Sequence, residues 1–598
     1  MKKALLSGNE AIARGAYEAG IQVATGYPGT PSSEILETIA KEYGKEIYAE
    51  WSTNEKVAMD AAAGAAYSGR RALVTTKQVG MNVLADSLMY AVYTGSEAGL
   101  VVVTADDPGM FSSQNEQDNR WYAKLAKVPL LEPADSQEAK DFVIRAIEIS
   151  ERFDTPVVIR TTMRVSHSKG VVTLGERPPV PKEVGPFPRN QKKYVMTAMW
   201  ARERHPVVEE RLKTLAAYAE ECPLNRVEYR DRKLGIITSG ITYAYVREVF
   251  PQASVLKLGM TYPLPHNLIL EFSRSVEELV VVEELDPFLE EQIRALRVKV
   301  RGKDIFPPCG ELLPERIAEL AADAGLLPAE GVPRPANQAP EGLPARIPVL
   351  CPGCPHRSTY FVLAKLGVPV AGDIGCYNLG CLPPFNAQHT MGCMGASVGV
   401  LHGMAIAGLP ERAVATIGDS TFFHSGMAPL ANMVHNGSRG VVIIMDNGTT
   451  AMTGHQDHPG TQWTLHGQPA NVIDIEAVVR AMGVEKVRVV NAFDVREVED
   501  GLKDCLAYEG VSVLITRGLC VQVSKAHGGT YWVDENACIA CGTCFRLGCP
   551  AVVKSEARNP KTGANKAAID PTLCVGCDVC RQVCPVGAIH APEGKEER

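Results

Sequence analysis

The 598-residue sequence predicts an α/β protein of several doubly wound domains, closed by a small cysteine-rich α+β domain. Three observations predict it. Short β-rich runs such as RALVTT (71–76), GLVVVTADD (99–107) and GVVIIMDN (440–447) alternate with alanine-rich helical stretches, the rhythm of a parallel βαβ sheet. Proline-rich segments, among them ERPPVPKEVGPFPRN (176–190), divide the chain into blocks. Near the end, four cysteines finishing in Cys-Pro occur twice: CIACGTCFRLGCP (538–550) and CVGCDVCRQVCP (574–585).

Composition narrows the class. With 45% hydrophobic and 22% charged residues the chain buries ample core, so its 17 cysteines are not needed as staples. A net charge of −8 and the lack of a long Lys/Arg stripe argue against a nucleic-acid partner. No apolar stretch approaches the roughly 20 residues that span a bilayer, which argues against a membrane. The opening MKKALLSGNEAIARG has an apolar run too short for a signal-peptide core. Many cysteines without an export signal point to metal or redox chemistry and a cytoplasmic location.

In order along the chain, residues 1–165 read as a first α/β domain, with a helix in NEKVAMDAAAGAAYSG (54–69) between strands. Residues 166–232 read as a linker region with one or two solvated helices. Residues 233–327 form a middle α/β domain with strands in KLGIITSG, ASVLKLGM and EELVVVEEL. Residues 328–348 are a linker, because Pro328, Pro333, Pro335, Pro340, Pro344 and Pro348 exclude both helix and central strand. Residues 349–525 form another α/β domain, with strands in AVATIGD (413–419), GVVIIMDN and VSVLITRG (511–518), and 526–598 the cysteine tail.

The tail has the pattern of two iron–sulfur clusters. A C-x2-C-x2-C loop supplies three thiolates, and in two-cluster ferredoxins the fourth comes from the opposite motif. Crossing the ligands assigns Cys538, Cys541, Cys544 and Cys584 to one [4Fe-4S] cluster and Cys549, Cys574, Cys577 and Cys580 to the other. Paired zinc knuckles are the competing reading, but they rarely add a third and fourth cysteine at this spacing. Four residues separate Cys544 from Cys549, where three is usual.

Upstream, IGDSTFFHSG begins at Ile417, and 28 residues after Asp419 a second strand ends at Asn447. A carboxylate and an amide oxygen at adjacent strand ends, with the Thr449 carbonyl, suit Mg²⁺. Gly418 and Gly426 would let the chain approach phosphates closely. Gly-Asp followed by Asn at this distance resembles the thiamine diphosphate signature, with Ser420 where a third glycine is usual. A bare Gly-Asp otherwise only ends a strand. Thiamine enzymes also need a carboxylate, from a second α/β domain, to bind the aminopyrimidine nitrogen. Glu55, in the first turn of the 54–69 helix, is the candidate; its blander reading is a helix cap. His424, His455 and His458 fall near the Asp419 motif, as plain hydrogen-bonded histidines or as contacts to phosphate or substrate.

TGYPGTPSSEI (25–35), ADDPGMFSSQNEQDNR (105–120), CPGCPHR (351–357), GDIGCYNLG (372–380), GDSTFFHSGM (418–427) and TTAMTGHQ (449–456) together resemble the 2-oxoacid:ferredoxin oxidoreductase family, most closely the α subunits of its indolepyruvate branch. The resemblance spans essentially the whole chain. It implies two thiamine-diphosphate-binding doubly wound domains, a transketolase-C-terminal-like α/β domain between them, and a two-cluster ferredoxin-like domain. It implies oxidative decarboxylation of arylpyruvates with coenzyme A to aryl-acetyl-CoA and CO₂, with electrons passing through the clusters to external ferredoxin. A smaller β subunit is implied as well, and an αα dimer or α₂β₂ assembly. Thr30 matches the position that meets the oxoacid carboxylate, and Gly418, Asp419, Ser420, Asn447 and Thr449 match the cofactor site. Comparable positions in related pyruvate enzymes make Cys351, Cys354, Cys376 and Cys520 candidate ligands of a third cluster; the alternative is buried thiols packed as small hydrophobes. Two rival functions stand beside this one: the same chemistry on another 2-oxoacid, and a non-catalytic electron carrier with a vestigial thiamine fold. Intact Glu55, Asp419 and Asn447 speak against the second.

Overall fold

A computed structural model of the chain describes residues 2–181, 183–328, 342–344, 346–525 and 528–592. The chain divides into two compact units, Met1–Gly342 with Leu465–Gly467, and Leu343–Thr464 with Gln468–Arg598. Of the proline-rich stretch 328–348, Pro333, Pro335 and Pro340 lie outside the described residues, while Pro328, Pro344 and Pro348 sit in neither helix nor strand.

The first unit is built on a seven-stranded sheet in the order Met260–Tyr262, Leu130–Leu131, Val157–Thr162, Leu100–Asp106, Ala72–Lys77, Val23–Gly26, Tyr48–Trp51. All neighbours run parallel except the first pair. Every residue of the three central strands, Val157–Thr162, Leu100–Asp106 and Ala72–Lys77, is buried. Helices on both faces require this, which is why these strands read as unbroken apolar runs rather than alternating ones. Alternation survives inside: Val74, Leu100 and Val102 join the helices Glu55–Tyr67 and Gln78–Thr94 in one core, while Leu73, Val101 and Val103 face Gly8–Glu18, Ser33–Tyr43 and Ser136–Phe153 in another.

Two pairings cross the expected boundaries. Lys169–Thr173 pairs antiparallel with Lys3–Ser7, so the first block's chain continues past 165. Met260–Tyr262, from the middle block, adds antiparallel to the edge of the seven-stranded sheet. The middle block's own four-stranded sheet runs Glu278–Val282, Asp231–Ser239, Ala253–Leu258, Arg226–Glu228, with only the last strand antiparallel. In the 166–232 region one long helix, Ala198–Glu221, buries a narrow stripe of Val208, Arg211, Leu215 and Ala219. That spacing of three and four residues keeps one face inward and leaves the rest to solvent.

The second unit has a six-stranded, wholly parallel sheet: Thr390–Met391, Val370–Gly372, Val414–Gly418, Gly440–Asp446, Val511–Arg517, Lys486–Asn491. Val441, Ile443 and Leu514 face one core, Val442, Ile444, Val513 and Ile515 the other. Beyond it the tail forms two antiparallel ribbons, Trp532–Val533 with Ile589–His590 and Val552–Arg558 with Asn565–Ile569, around a small core of its own. No helix among the described residues is long and apolar enough to cross a membrane.

Candidate functional site

In the second unit, Gly418 pairs with Met445 across neighbouring parallel strands, so the residues just beyond, Asp419 and Asn447, emerge side by side at the carboxyl ends of the sheet. Ligands of open α/β sheets bind at such ends. Asp419 is buried. Its Oδ1 accepts the Ser420 N–H at 2.8 Å, and its Oδ2 accepts the N–H groups of Asn447 at 3.1 Å and Gly448 at 2.7 Å. One terminal atom of the Asn447 amide lies 2.9 Å from the Thr449 carbonyl oxygen and 3.2 Å from each Asp419 carboxylate oxygen. With the amide nitrogen there, Asn447 donates to these oxygens; with its oxygen there, oxygens converge with no proton between them, the donor set a hard cation takes. The site therefore fits Mg²⁺. Ser420 Oγ accepts from Thr450 Oγ1 at 2.9 Å.

Gly418 has a reason beyond access for phosphate. A Cβ there would come within 2.7 Å of the Tyr377 ring, and one on Gly426 within 2.6 Å of Ile417 Cδ1. Of the histidines, His455 is exposed, and buried His424 shares a 2.6 Å hydrogen bond with Ser425 Oγ. His458 is tied to the oxygen cluster. Its Nδ1 accepts the Gly460 N–H at 3.1 Å, which leaves the ring proton on Nε2. Nε2 lies 3.2 Å from Asp419 Oδ2, within ion-pair distance but misaligned for a hydrogen bond.

In the first unit, Asn54 caps the helix Glu55–Tyr67 by accepting the Val57 N–H at 2.9 Å. Asn54, not Glu55, is therefore the N-cap of this helix. The buried Glu55 carboxylate lies against Gly80, in the first turn of Gln78–Thr94; a Cβ at Gly80 would sit 2.3 Å from Glu55 Oε1 and 2.2 Å from Thr76 Oγ1. The turn holding Thr30 is closed by Ser32 Oγ donating to Gly29 O at 2.8 Å and by the Gly29 N–H donating to Ser33 Oγ at 2.9 Å. Gly29 in turn abuts Lys77, whose Cβ would be 2.8 Å from a Cβ there. The end of the strand Ala72–Lys77 thus gathers both the Thr30 turn and Glu55. Lys77, which the sequence reading passed over, is buried; its Nζ donates to Ser112 O at 2.6 Å, and burial, opposed by Asp107, lowers its pKa. Only structure shows an amine so enclosed.

In the tail, Cys538, Cys541, Cys544 and Cys584 line one cavity, and Cys549, Cys574, Cys577 and Cys580 line another. Burial, with the neighbouring Cys541 and Cys538 thiols, pushes Cys544 up to about 11, and burial with Cys577 and Cys549 raises Cys580 further. Thiols crowded around one volume resist ionising together, and a cationic iron core would relieve that. No three His, Cys, Asp or Glu side chains among the described residues converge on a point as around a single ion; the thiols surround volumes instead. Cys351, Cys354, Cys376 and Cys520 are also neighbours. Burial, then Cys520 and Cys351, pushes Cys376 up to about 11, and burial, with Cys376 and Cys351 adding, pushes Cys354 up to about 12.

Three family models match: the thiamine diphosphate-binding part of pyruvate flavodoxin/ferredoxin oxidoreductases over residues 14–220, the C-terminal TPP-binding domain of thiamine pyrophosphate enzymes over 373–516, and a 4Fe-4S binding domain over 567–590. Thr30 and Glu55 fall in the first, Asp419, Asn447 and Thr449 in the second, and Cys574, Cys577, Cys580 and Cys584 in the third. The chain is 42% identical to the indolepyruvate oxidoreductase subunit IorA of Pyrococcus horikoshii, over 98% of this chain and 97% of that one. Against the subunit of the same name from Methanothermobacter thermautotrophicus it is 44% identical, over 99% and 98%. A 2-oxoglutarate synthase subunit KorA from the latter organism is 32% identical over 30% of this chain and 50% of its own.

Proposed function

The chain belongs to the family of indolepyruvate oxidoreductase IorA subunits, thiamine- and 4Fe-4S-dependent 2-oxoacid:ferredoxin oxidoreductases, and from that membership we propose that it acts on arylpyruvates, indolepyruvate among them. The balanced reaction is 2-oxoacid plus coenzyme A plus two oxidised ferredoxins giving acyl-CoA, CO₂, two reduced ferredoxins and one proton. A smaller β subunit completes the enzyme, as an αβ pair or an α₂β₂ assembly, in the cytoplasm.

The observation that carries this reading is the second unit's content. One fold holds the Asp419–Asn447–Thr449 oxygen cluster and two cavities each lined by four thiols. The residues that would hold the cofactor's diphosphate and the thiols that would hold its electron acceptors lie in the same unit.

Thiamine diphosphate, when bound, supplies the electron sink for decarboxylation. Asp419, Asn447 and the Thr449 carbonyl would hold Mg²⁺ and through it the diphosphate, with Gly418 and Ser420 beside them. Glu55 would hold a proton at the cofactor's pyrimidine nitrogen, the general acid–base task that activates the coenzyme. The Thr30 hydroxyl meets the oxoacid carboxylate. The eight tail cysteines would hold two [4Fe-4S] clusters, which would supply one-electron acceptors, and Cys351, Cys354, Cys376 and Cys520 are candidate ligands of a third.

The test is turnover of the anaerobically purified chain with its β subunit. Arylpyruvate- and coenzyme A-dependent reduction of ferredoxin, with aryl-acetyl-CoA as product, is expected. Preference for a short or dicarboxylic 2-oxoacid would move the substrate assignment, and thiamine-independent electron transfer alone would leave only a carrier.

A further inference from the structure

Arg357 is among the largest fully enclosed side chains of the protein, 2% exposed, and it is the second residue of the helix His356–Leu366. A cation is poorly placed there, because a helix N-terminus carries partial positive charge. All its hydrogen bonds go to neutral carbonyls. Nε donates to Cys351 O at 3.1 Å, Nη2 to Cys351 O at 2.8 Å and to Leu350 O, and Nη1 to Leu547 O at 2.7 Å. Among the described residues no carboxylate lies within ion-pair reach of it. Burying a guanidinium without a counter-ion is costly, so an anion belongs beside it.

Its position says which anion. Arg357 lines the cavity of Cys549, Cys574, Cys577 and Cys580, together with Pro352 and Gly353 of the Cys351–Cys354 loop. The one carboxylate on that wall, Asp578, is engaged by Arg581 at 2.6 and 3.0 Å. The two loops touch directly: a Cβ on Gly353 would come within 2.3 Å of Val575 Cγ2 and 3.7 Å of the Cys577 Cβ.

We infer that Arg357 is the counter-ion of an iron–sulfur cluster held by Cys549, Cys574, Cys577 and Cys580, and that it clamps this cluster to the Cys351–Cys354 loop. The inference rests on the reading that those four thiols hold a cluster. Four thiolates around an iron core are net negative, and more so after reduction. A fixed cation therefore favours the reduced form and raises this cluster's potential relative to the one beyond it. Arg357 is a positioning residue: it touches no substrate and sets where an arriving electron rests.

Two variants separate charge from clamp. Arg357→Lys keeps the cation but loses the planar fork; Arg357→Gln keeps amide donors but loses the charge. Both are assembled anaerobically as holoenzyme with the β subunit, checked for full iron content, and titrated with potential followed by EPR. The expected result is one cluster shifted to a more negative potential in Arg357→Gln, near wild type in Arg357→Lys, with the other clusters unmoved. Equal potentials in both variants and the wild type, or equal shifts in both variants, would overturn it and leave a carbonyl clamp. Cys577→Ser tells the two failures apart: if it removes no iron and no EPR signal, the cluster assignment has failed rather than the role of Arg357.

Discussion

The tail and the thiamine-type centre are assembled in opposite ways. The eight thiols of the tail come from two short runs, 538–549 and 574–584, and the fold needs only to lay one run against the other. The oxygen cluster joins Asp419 to Asn447 and Thr449 through the register of two parallel strands, while Glu55 and the turn holding Thr30 both lie against the end of the strand Ala72–Lys77 in the first unit. A thiol site is specified by rare residues close in sequence. An oxygen site is specified by common residues whose meaning depends on where strands end. Damage to the two should therefore separate cleanly.

The largest effect breaks the oxygen side. Asp419→Ala removes the acceptor of three backbone N–H groups as well as the proposed cation ligand. It should abolish thiamine diphosphate binding and cost about 1–3 kcal/mol for each N–H left buried without a partner, with iron per chain unchanged. Cofactor and iron analysis on one preparation checks both halves. Cys577→Ser is the converse. It should lose about four irons per chain and slow ferredoxin reduction, while the dissociation constant for thiamine diphosphate stays that of the wild type.

Glu55→Gln sharpens the contrast, because cofactor and clusters both remain. kcat should fall about 10²- to 10⁴-fold, measured by dye reduction on fully loaded enzyme. Gly80→Ala tests whether Glu55 is held by packing. The added methyl must displace the carboxylate or Thr76, so a kcat loss of about tenfold is expected, with about 1–3 kcal/mol of destabilisation by chemical unfolding.

The smallest effect is a difference in pH response. Burial outweighs the Arg160 guanidinium and pushes Asp106 of the first unit up to about 6. A carboxyl that holds its proton more tightly when folded stabilises fully below its unfolded pKa and loses that contribution as pH rises through the folded value. For Asp106 the loss falls between about pH 4 and 6, and Asp106→Asn should flatten it. In the tail the sign reverses: burial raises Asp578, but bonds from Arg581 and Tyr531 hold it low, so its contribution is lost on acidification. Urea midpoints of the whole chain followed by probes in each part resolve the two slopes.

Much of the fold was legible because buried parallel strands are written as continuous β-branched runs. RALVTT, AVATIGD and VSVLITRG correspond to Ala72–Lys77, Val414–Gly418 and Val511–Arg517 within two residues at either end. The strands Lys169–Thr173 and Met260–Tyr262 were missed for the opposite reason. One is half exposed and the other only three residues long at a sheet edge, so neither carries a periodic signal. Among functional residues, the expected cysteines fall into two lined cavities, and Asp419, Asn447 and Thr449 come together. Lys77 and Arg357 escaped notice, and His458 was named without its tie to Asp419, because a charge or a ring reads the same in sequence whether or not its partners are present. Gly418 was read for phosphate access, yet the ring of Tyr377 also requires it.

The central claim is that electrons released at a thiamine centre enter the cysteine-bound clusters of the same chain. The most direct measurement mixes anaerobic, oxidised holoenzyme with arylpyruvate, without ferredoxin, and records EPR of the clusters. The account predicts reduced-cluster signals in the wild type with thiamine diphosphate, and none without the cofactor or in Glu55→Gln. Clusters that stay oxidised while loaded wild-type enzyme consumes the oxoacid, or that become reduced by it without the cofactor, would contradict the account.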